Sequence, residues 1–154
     1  MFDYIVVSTE NEYRIAANLF QEYAEWLGID LGFQKFEDEL LSLQTMYGPS
    51  QGTIILCKYE NEFVACVAVR PIEYKIAELK RMYVKPDFQR KGIGEELLRL
   101  SLSFAKNAGY EKARLDTLNT MTPAMNLYKK NGFNEIPAYY FNPEPTAVYF
   151  EKTL

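Results

Sequence analysis

Residues 76–118 read IAELKRMYVKPDFQRKGIGEELLRLSLSFAKNAGYEKARLDTL, and this stretch decides the fold class. It opens on a β-rich run, Ile76–Val84, which Lys85-Pro86-Asp87 interrupts. Residues 93–108 follow with apolar side chains at helical spacing, and Gly109 stops the pattern. Lys112–Leu118 has the composition of a second strand. Strand, helix and strand in this order predict a βαβ unit with parallel strands and a right-handed crossover.

The remaining segments place this unit inside one mixed sheet. Thr122 resembles a helix N-cap, with Pro123 as a favoured first helical residue. A Pro-rich loop, 137–145, precedes the last strand. We predict strands at 3–9, 53–59, 63–71, 133–136 and 147–152, and helices at 11–27, 33–47 and 122–131. The fold class is therefore α/β, a single domain over 1–154 with a mostly antiparallel sheet, a central parallel βαβ unit and helices on both faces.

Composition excludes several kinds of site. The chain of 154 residues has no histidine, which removes Ser-His-Asp and Cys-His nucleophile pairs and His-bound zinc. Cys57 and Cys66 form no CxxC pair, so we expect no metal site and a reduced, cytoplasmic setting. We see no signal peptide and no run long enough to span a membrane. The net charge of −4 argues against a nucleic-acid partner.

The loop from Gln89 to Glu96 carries the strongest chemical signal. It lies between a strand and a helix, and Gly92 and Gly94 allow close approach to its backbone. The first N–H groups of the helix lack internal partners, and the helix dipole is positive there. With the charges of Arg90 and Lys91, these features predict a phosphate or pyrophosphate site. The alternative is an ordinary glycine-containing turn with a solvated basic pair.

A second motif follows this loop at a fixed distance. Ala124-x-x-Leu127-Tyr128-x-x-x-Gly132-Phe133 lies on the next helix and strand, and Gln89-x-x-Gly92-x-Gly94 follows the strand ELKRMYV at 78–84. Together the two segments resemble the motifs of the GCN5-related N-acetyltransferase (GNAT) family. The resemblance covers nearly the whole chain. Residues 26–30 and 136–140 also resemble a bacterial subgroup of that family.

The resemblance implies acetyl-coenzyme A (acetyl-CoA) as cosubstrate. In such proteins the loop amides bind the pyrophosphate, and the pantetheine arm lies along the strand before the loop, as an added strand would. At one position, Met121, the family often has Asn, and Asn119 lies two residues before it. The implied cofactor-binding residues are Met82, Tyr83, Val84, Gln89, Arg90, Lys91, Gly92, Ile93, Gly94, Glu95, Asn119 and Ala124.

The implied reaction is direct attack of a primary amine on the thioester. Free amines are mostly protonated at pH 7, so a base must remove a proton. Glu78 matches the family's base, acting through an ordered water, and Tyr128 matches the acid that protonates the departing thiolate. The alternatives are an exposed strand glutamate facing Lys80 or Arg70, and an aromatic ring that only packs.

The acceptor, a small-molecule or peptide amine, is expected beside the first helices and the final loop. Trp26, Phe33, Tyr139 and Tyr140 are its candidate lining residues. Acidic residues 37–39 either attract a cationic acceptor or form a solvated helix face. The apolar stripe of 93–108 is ordinary core or also part of a homodimer interface. Two other functions stay open: a non-catalytic acyl-CoA-binding regulatory module, and an acyltransferase that uses a longer acyl donor.

Overall fold

The computed structural model describes residues 1–32, 35–48 and 51–154. Seven strands form one sheet in the order β1-β2-β3-β4-β5-β7-β6. Among the described residues, only the β4–β5 pair is parallel, and the other pairs along this order are antiparallel, as predicted. The elements are β1 (Phe2–Val6), α1 (Glu10–Leu27), α2 (Phe36–Leu41), α3 (Leu43–Tyr47), β2 (Thr53–Tyr59), β3 (Glu62–Glu73), β4 (Ile76–Val84), α4 (Ile93–Asn107), β5 (Lys112–Leu118), α5 (Thr122–Lys130), β6 (Asn134–Ile136) and β7 (Ala147–Thr153).

Helices cover both faces of the sheet. On the front face, α1, α2 and α3 pack on side chains such as Ile54, Leu56 and Ala68. On the back face, α4 and α5 pack on Leu79 and Leu115. Each face buries its own apolar cluster, which is the main stabilising contribution to a domain of this size.

The first strand and helix differ slightly from their predicted limits. β1 ends at Val6 and not at residue 9, because Thr9 is the N-cap of α1. The Thr9 hydroxyl accepts the Glu12 amide at 3.1 Å, and the Glu12 carboxylate accepts the Thr9 amide at 3.1 Å. This reciprocal capping box starts the helix at Glu10. In the hairpin of β2 and β3, Glu62 pairs with Tyr59, so β3 begins at Glu62 and not at residue 63 as predicted.

The predicted second helix is two short helices. Ser42 has φ −133° and ψ 29°, outside the helical region, and separates α2 from α3. Its hydroxyl donates to the Asp38 carbonyl, so a local side-chain bond competes with the continuing helix. Phe33, the first residue of the predicted helix, and Pro49, two residues after its predicted end, lie outside the described residues.

Two further helical predictions need correction. The buried side of α4 is formed by Ile93, Leu97, Leu98, Ser101 and Ala105. Ala108, assigned to the apolar stripe, is the exposed C-cap. The buried side differs from the predicted stripe because α4 lies on a broad sheet surface. Such a surface buries adjacent residues of the helix, such as 97 and 98, at the same time.

The N-cap of α5 is Met121, one residue earlier than predicted. Thr122 is therefore the first helical residue and makes no side-chain cap bond. The helix ends at Lys130, with Asn131 as its C-cap. Both cysteines are buried and unbridged. No helix among the described residues is long and apolar enough to cross a membrane.

Candidate active site

The two central strands separate toward one end of the sheet. β4 and β5 pair over three residues, from Ile76 with Lys112 to Glu78 with Arg114, and then both strands continue. We call the opening between their diverging parts the strand gap. It holds a cleft of about 810 Å³, counting the part open to solvent. Residues 79–82 of β4 and 115–118 of β5 line its two sides.

A backbone irregularity marks β4 beside the gap. Cys66 pairs with Tyr83 but Ala68 pairs with Lys80, so β4 has one more residue than β3 between these pairs. This is a β-bulge. Arg81 lies in it with φ +59°, the left-handed region that costs a side-chain-bearing residue on the order of 1 kcal/mol. Bulges of this kind redirect a strand, and β4 leaves β5 near this point.

The loop before α4 leads to backbone amides that make no hydrogen bond within the described part of the chain. Gly92 is the N-cap, with φ +83°, and Arg90 is also left-handed with φ +64°. The Glu96 amide donates to the Gly92 carbonyl at 3.1 Å and makes the first bond of the helix. The amides of 93–95 come before that bond and have no helical carbonyl to bind. They are the donors that an anion at this end of α4 would use.

The side chains around these amides leave the loop accessible. Arg90 and Lys91 are exposed, and Glu95 pairs with Lys130 at 3.3 Å. A Cβ added at Gly94 would lie 3.7 Å from the nearest atom, a methyl carbon of Leu127, which is ordinary contact. Packing within the described residues therefore does not require glycine at 94.

The end of β4 is tied to the loop. The Gln89 side chain donates to the Val84 carbonyl at 3.0 Å. Met82 lines the strand gap. Tyr83 instead faces α1, where its hydroxyl donates to Glu22 at 2.7 Å. Of the three residues assigned to the pantetheine arm on this strand, Tyr83 can therefore contribute only its main chain.

Of the residues assigned on the far side of the gap, some line the gap and one does not. Ala124 of α5 lines the cleft, and so does Met121. Asn119 is exposed, and its amide donates to the Thr146 carbonyl at 2.8 Å. The structure thus brings Ala124 and Met121 to the gap and leaves the Asn119 side chain outside its lining.

Tyr128 reaches the gap from the back face. Its ring packs on Phe133 and Phe150, with ring centroids 5.8 Å and 6.2 Å away, and the residue lines the cleft. No hydrogen bond engages its hydroxyl within residues 1–32, 35–48 and 51–154. Burial, with the nearby Tyr23 and Asp116, raises the pKa of Tyr128, so its hydroxyl keeps its proton at neutral pH.

Glu78 lies on the front face, beside the gap. Its Oε1 accepts from Arg70 at 2.9 Å, and its Oε2 accepts from the Tyr139 hydroxyl at 2.7 Å. The side chain is only 3% exposed, so it is not the exposed strand residue considered from the sequence. It lines a neighbouring cavity with Lys80 and Tyr140, and Lys80 borders both that cavity and the strand gap.

The sequence analysis missed a second carboxylate, Asp116. It is on β5, lines the gap and accepts the Tyr140 hydroxyl at 2.7 Å. Burial raises the pKa of Asp116, and the hydrogen bond from Tyr140 only partly opposes this. The available signal was alternation, because polar residues 112, 114 and 116 alternate with apolar Ala113 and Leu115.

Lys80 adds a cation to this part of the site. It lies on β4, and burial together with the charge of Arg81 lowers its pKa to about 8. Glu78 and Glu39 act in the opposite direction, toward the charged form. The front side of the gap therefore combines a lysine of weakened basicity with two carboxylates that accept tyrosine hydroxyls.

Only some of the residues predicted to line the acceptor site lie beside the strand gap. Tyr139 and Tyr140 come from the loop between β6 and β7 and form an aromatic group with Tyr149, with ring centroids 5.4–5.7 Å apart. Trp26 is 44% exposed and contacts Tyr83 at 5.6 Å between centroids; it does not line the gap. Phe33 lies outside the described residues.

The acidic segment 37–39 is not uniformly solvated. Glu37 and Asp38 are exposed, but Glu39 is buried and paired with Arg81. Burial opposes ionisation of Glu39, yet the hydrogen bonds and charge of Arg81 outweigh it and hold its pKa below the usual value. Sequence reasoning missed this pair because its members are 42 positions apart.

Comparison with known proteins agrees with this geometry. A family model described as the acetyltransferase (GNAT) family matches residues 14–133. An N-acetyltransferase of Schizosaccharomyces pombe is 38% identical over 133 residues, 85% of this chain and 82% of that protein. This relative is a eukaryotic protein, and the bacterial subgroup inferred from the sequence stays a prediction.

Two solved acetyltransferase structures that align with this chain contain coenzyme A or acetyl-CoA. A GNAT acetyltransferase of Elizabethkingia anophelis with acetyl-CoA bound aligns with a TM-score of 0.58 and 29% identity, over 68% of this chain and 78% of that chain. The PaiA N-acetyltransferase of Thermoplasma acidophilum, in complex with coenzyme A, has a TM-score of 0.76 at 20% identity over 99% of both chains, a likeness of fold.

Proposed function

The chain belongs to the acetyltransferase (GNAT) family, and on that premise we propose that it transfers an acetyl group from acetyl-CoA to a primary amine of a small molecule or peptide. The observation that carries this proposal is the connection between two features. Residues 79–82 of β4 line the strand gap, and β4 leads through residues 85–92 to α4, whose amides at 93–95 make no hydrogen bond within the described residues. A thioester in the gap and a diphosphate on the helix end fit this arrangement.

The diphosphate is assigned to the loop before α4. The amides of 93–95 donate to its oxygens, and Arg90 and Lys91 supply positive charge next to them. Gly92 gives the backbone the left-handed conformation that points these amides outward. The solved GNAT structure with acetyl-CoA bound supports this assignment by relationship.

The pantetheine arm is assigned to the open edge of β4. Beyond Glu78 this edge diverges from β5, so its main-chain groups near Met82 and Val84 face the gap. An extended chain can bond to such an edge as an added strand. Ala124 and Met121 close the other side.

Acid–base roles are assigned to Glu78 and Tyr128. The amine nitrogen attacks the thioester carbonyl carbon, a C–N bond forms, and the C–S bond breaks. The ammonium loses one proton before attack, which Glu78 takes through a water and passes to solvent, and the second proton of the nitrogen restores Tyr128 after the thiolate has left. Tyr128 gives a proton to the departing sulfur, for which its raised pKa and its position in the gap suit it.

Two details of the prediction enter here as parts of the proposal. We place the protein in the cytoplasm, which the two unbridged cysteines support. We keep Trp26 as an outer acceptor contact, since its ring lies against Tyr83 at the front side of β4. Neither nucleic acid nor membrane has a part in this function.

A free-thiol assay tests the proposal. The protein is incubated with acetyl-CoA and, in turn, polyamines, aminoglycosides, amino acids and peptides with free N-termini. We expect thiol release that depends on one of these amine classes. A second series with longer acyl donors measures chain preference. Thermal stabilisation by acetyl-CoA without thiol release from any amine would instead support a regulatory acyl-CoA-binding module.

A further inference from the structure

One loop bonds both carboxylates of the front face. Residues 137–146 connect β6 to β7 and bring Tyr139 to Glu78 and Tyr140 to Asp116, each at 2.7 Å. The two carboxylates nevertheless differ in how many of their oxygens accept hydrogen bonds and in whether a cation balances their charge. Both oxygens of Glu78 accept hydrogen bonds, and its charge is balanced by Arg70.

Asp116 has a more open arrangement. The hydrogen bonds found in the described part of the chain use its Oδ2, from Tyr140, and leave Oδ1 without a donor. No lysine or arginine of those residues lies within ion-pair distance of its carboxylate. A half-buried carboxylate without a cation is costly, because its desolvation is not offset by a partner.

The cleft next to Asp116 has an apolar wall. Leu27 of α1, with Ile29 and Leu31 after it, lines the front of the strand gap. Tyr128 lines the same gap from the back, and the charge of Asp116 contributes to its raised pKa. A nitrogen held by Asp116 would therefore lie in the gap where Tyr128 meets the thioester, with its substituent toward the leucine side.

The other charged groups near Asp116 do not neutralise its carboxylate. Arg81 is already paired with Glu39, and Lys80, whose pKa burial lowers to about 8, forms no ion pair with Asp116 among the described residues. Glu78 adds negative charge. Among the described residues, the ionisable groups that border Asp116 or share its cleft are Tyr23 of α1, Glu78, Lys80 and Arg81 of β4, Tyr128 of α5, Tyr139, Tyr140 and Glu144 of the loop, and Tyr149 of β7.

We infer that Asp116 binds the ammonium group of the acceptor, and that the acceptor is a primary amine that arrives as a cation with an apolar body against Leu27, Ile29 and Leu31. This inference rests on the proposed function and narrows its acceptor. The ammonium completes the unsatisfied carboxylate, and Tyr140 orients that carboxylate from its other oxygen. Neutral alcohols and anions of the same shape lack the charge that Asp116 requires.

Isothermal titration of the coenzyme A-saturated protein tests the inference without requiring turnover. The probes are 2-phenylethylamine and n-hexylamine, each compared with its alcohol, 2-phenylethanol and n-hexanol. Asp116→Asn keeps an oxygen for Tyr140 but removes the charge. Glu151→Gln is the control, because that carboxylate also lies near β5 but is paired with Arg114 and Lys112.

We expect the amines to bind the wild type more tightly than their alcohols. Asp116→Asn should weaken amine binding by about ten- to a hundredfold, the range for a hydrogen bond to a charged group. Glu151→Gln should leave it unchanged, and coenzyme A affinity should be the same in all three proteins. Equal amine binding by Asp116→Asn, equal binding of amines and alcohols, or no binding of either amine would overturn the inference. Failure of coenzyme A to bind the wild type would instead contradict the proposed function.

Discussion

Glu39 of α2 and Arg81 of β4 are joined by two hydrogen bonds, Arg81 Nε to Oε2 at 2.9 Å and Nη2 to Oε1 at 2.7 Å. Both side chains are at most 4% exposed. The guanidinium also lies over the Phe36 ring, 5.2 Å from its centroid. The pair fastens a helix of the front face to the bulge of β4, which follows Glu78, the last residue of β4 that pairs with β5. It therefore holds one wall of the strand gap in place.

Loss of Glu39 should unfold the protein at much lower denaturant concentration. Glu39→Ala leaves the Arg81 charge buried and unpaired, which typically costs about 3–5 kcal/mol. Glu37→Ala removes an exposed carboxylate from the same helix and should cost less than about 0.5 kcal/mol. Urea unfolding measures both. Similar midpoints for the two variants would show that the pair does not stabilise this part of the fold.

Asp116→Asn should make the protein more stable at neutral pH. Because the folded state raises the pKa of Asp116, it holds that proton more tightly than the unfolded chain does. The free energy of unfolding therefore falls as pH rises from the pKa of the unfolded chain, about 3.9, through the raised pKa of the folded state. At every pH above the folded-state pKa, the full destabilisation by ionised Asp116 is present. Asparagine does not ionise, so it escapes this cost.

Thermal unfolding as a function of pH checks the sign of this effect. The melting temperature of Asp116→Asn should exceed that of the wild type at pH 7. The two melting temperatures should converge at pH values below the usual pKa of aspartate. A variant that is less stable than the wild type at pH 7 would mean that ionised Asp116 stabilises the fold.

Gly92→Ala should weaken coenzyme A binding as well as stability. A Cβ at φ +83° costs about 1–2 kcal/mol although no atom lies within 4 Å of it. Relief of that strain turns the amides of 93–95, so affinity should fall about tenfold. Gly109→Ala is the matched control, with φ +94° and equally open space after the other end of α4. It should lose similar stability and keep its affinity, and a similar affinity loss in both variants would contradict the assignment of the loop.

Tyr128→Phe should lower turnover and leave the KM for acetyl-CoA unchanged. The change removes a hydroxyl that has no hydrogen bond among the described residues but faces the gap. Loss of a general acid costs about 10²-fold or more. Tyr110→Phe, whose hydroxyl donates to the Gln51 carbonyl, controls for removal of a phenol oxygen elsewhere. Unchanged acetylation by Tyr128→Phe in the thiol assay would mean that this ring only packs.

Local signals predicted the frame of this molecule well. The alternation and helical spacing of 76–118 gave the parallel pair, and Gly28, with φ +73°, ends α1 where the pattern stops. The Tyr128 motif, which came from the family resemblance, led to a side chain that lines the gap. These features depend on residues close in sequence, and such patterns are set mainly by backbone geometry.

The missed features depend on contacts between distant residues. Glu39 appears solvated within its acidic run, and only the packing of α2 on the bulge buries it against Arg81. The bulge itself carries no glycine that would mark a left-handed residue. Asp116 becomes distinctive only when Tyr140, 24 positions later, folds over it. Burial of a charge and its partner are properties of the tertiary structure.

Backbone amide chemical shifts, measured while acetyl-CoA is added, test the central assignment most directly. The account predicts that the largest changes occur at 90–95, with a second group along residues 82–84, because the diphosphate and the pantetheine arm bind there. Saturable changes confined to other parts of the chain, or none at millimolar acetyl-CoA, would contradict it.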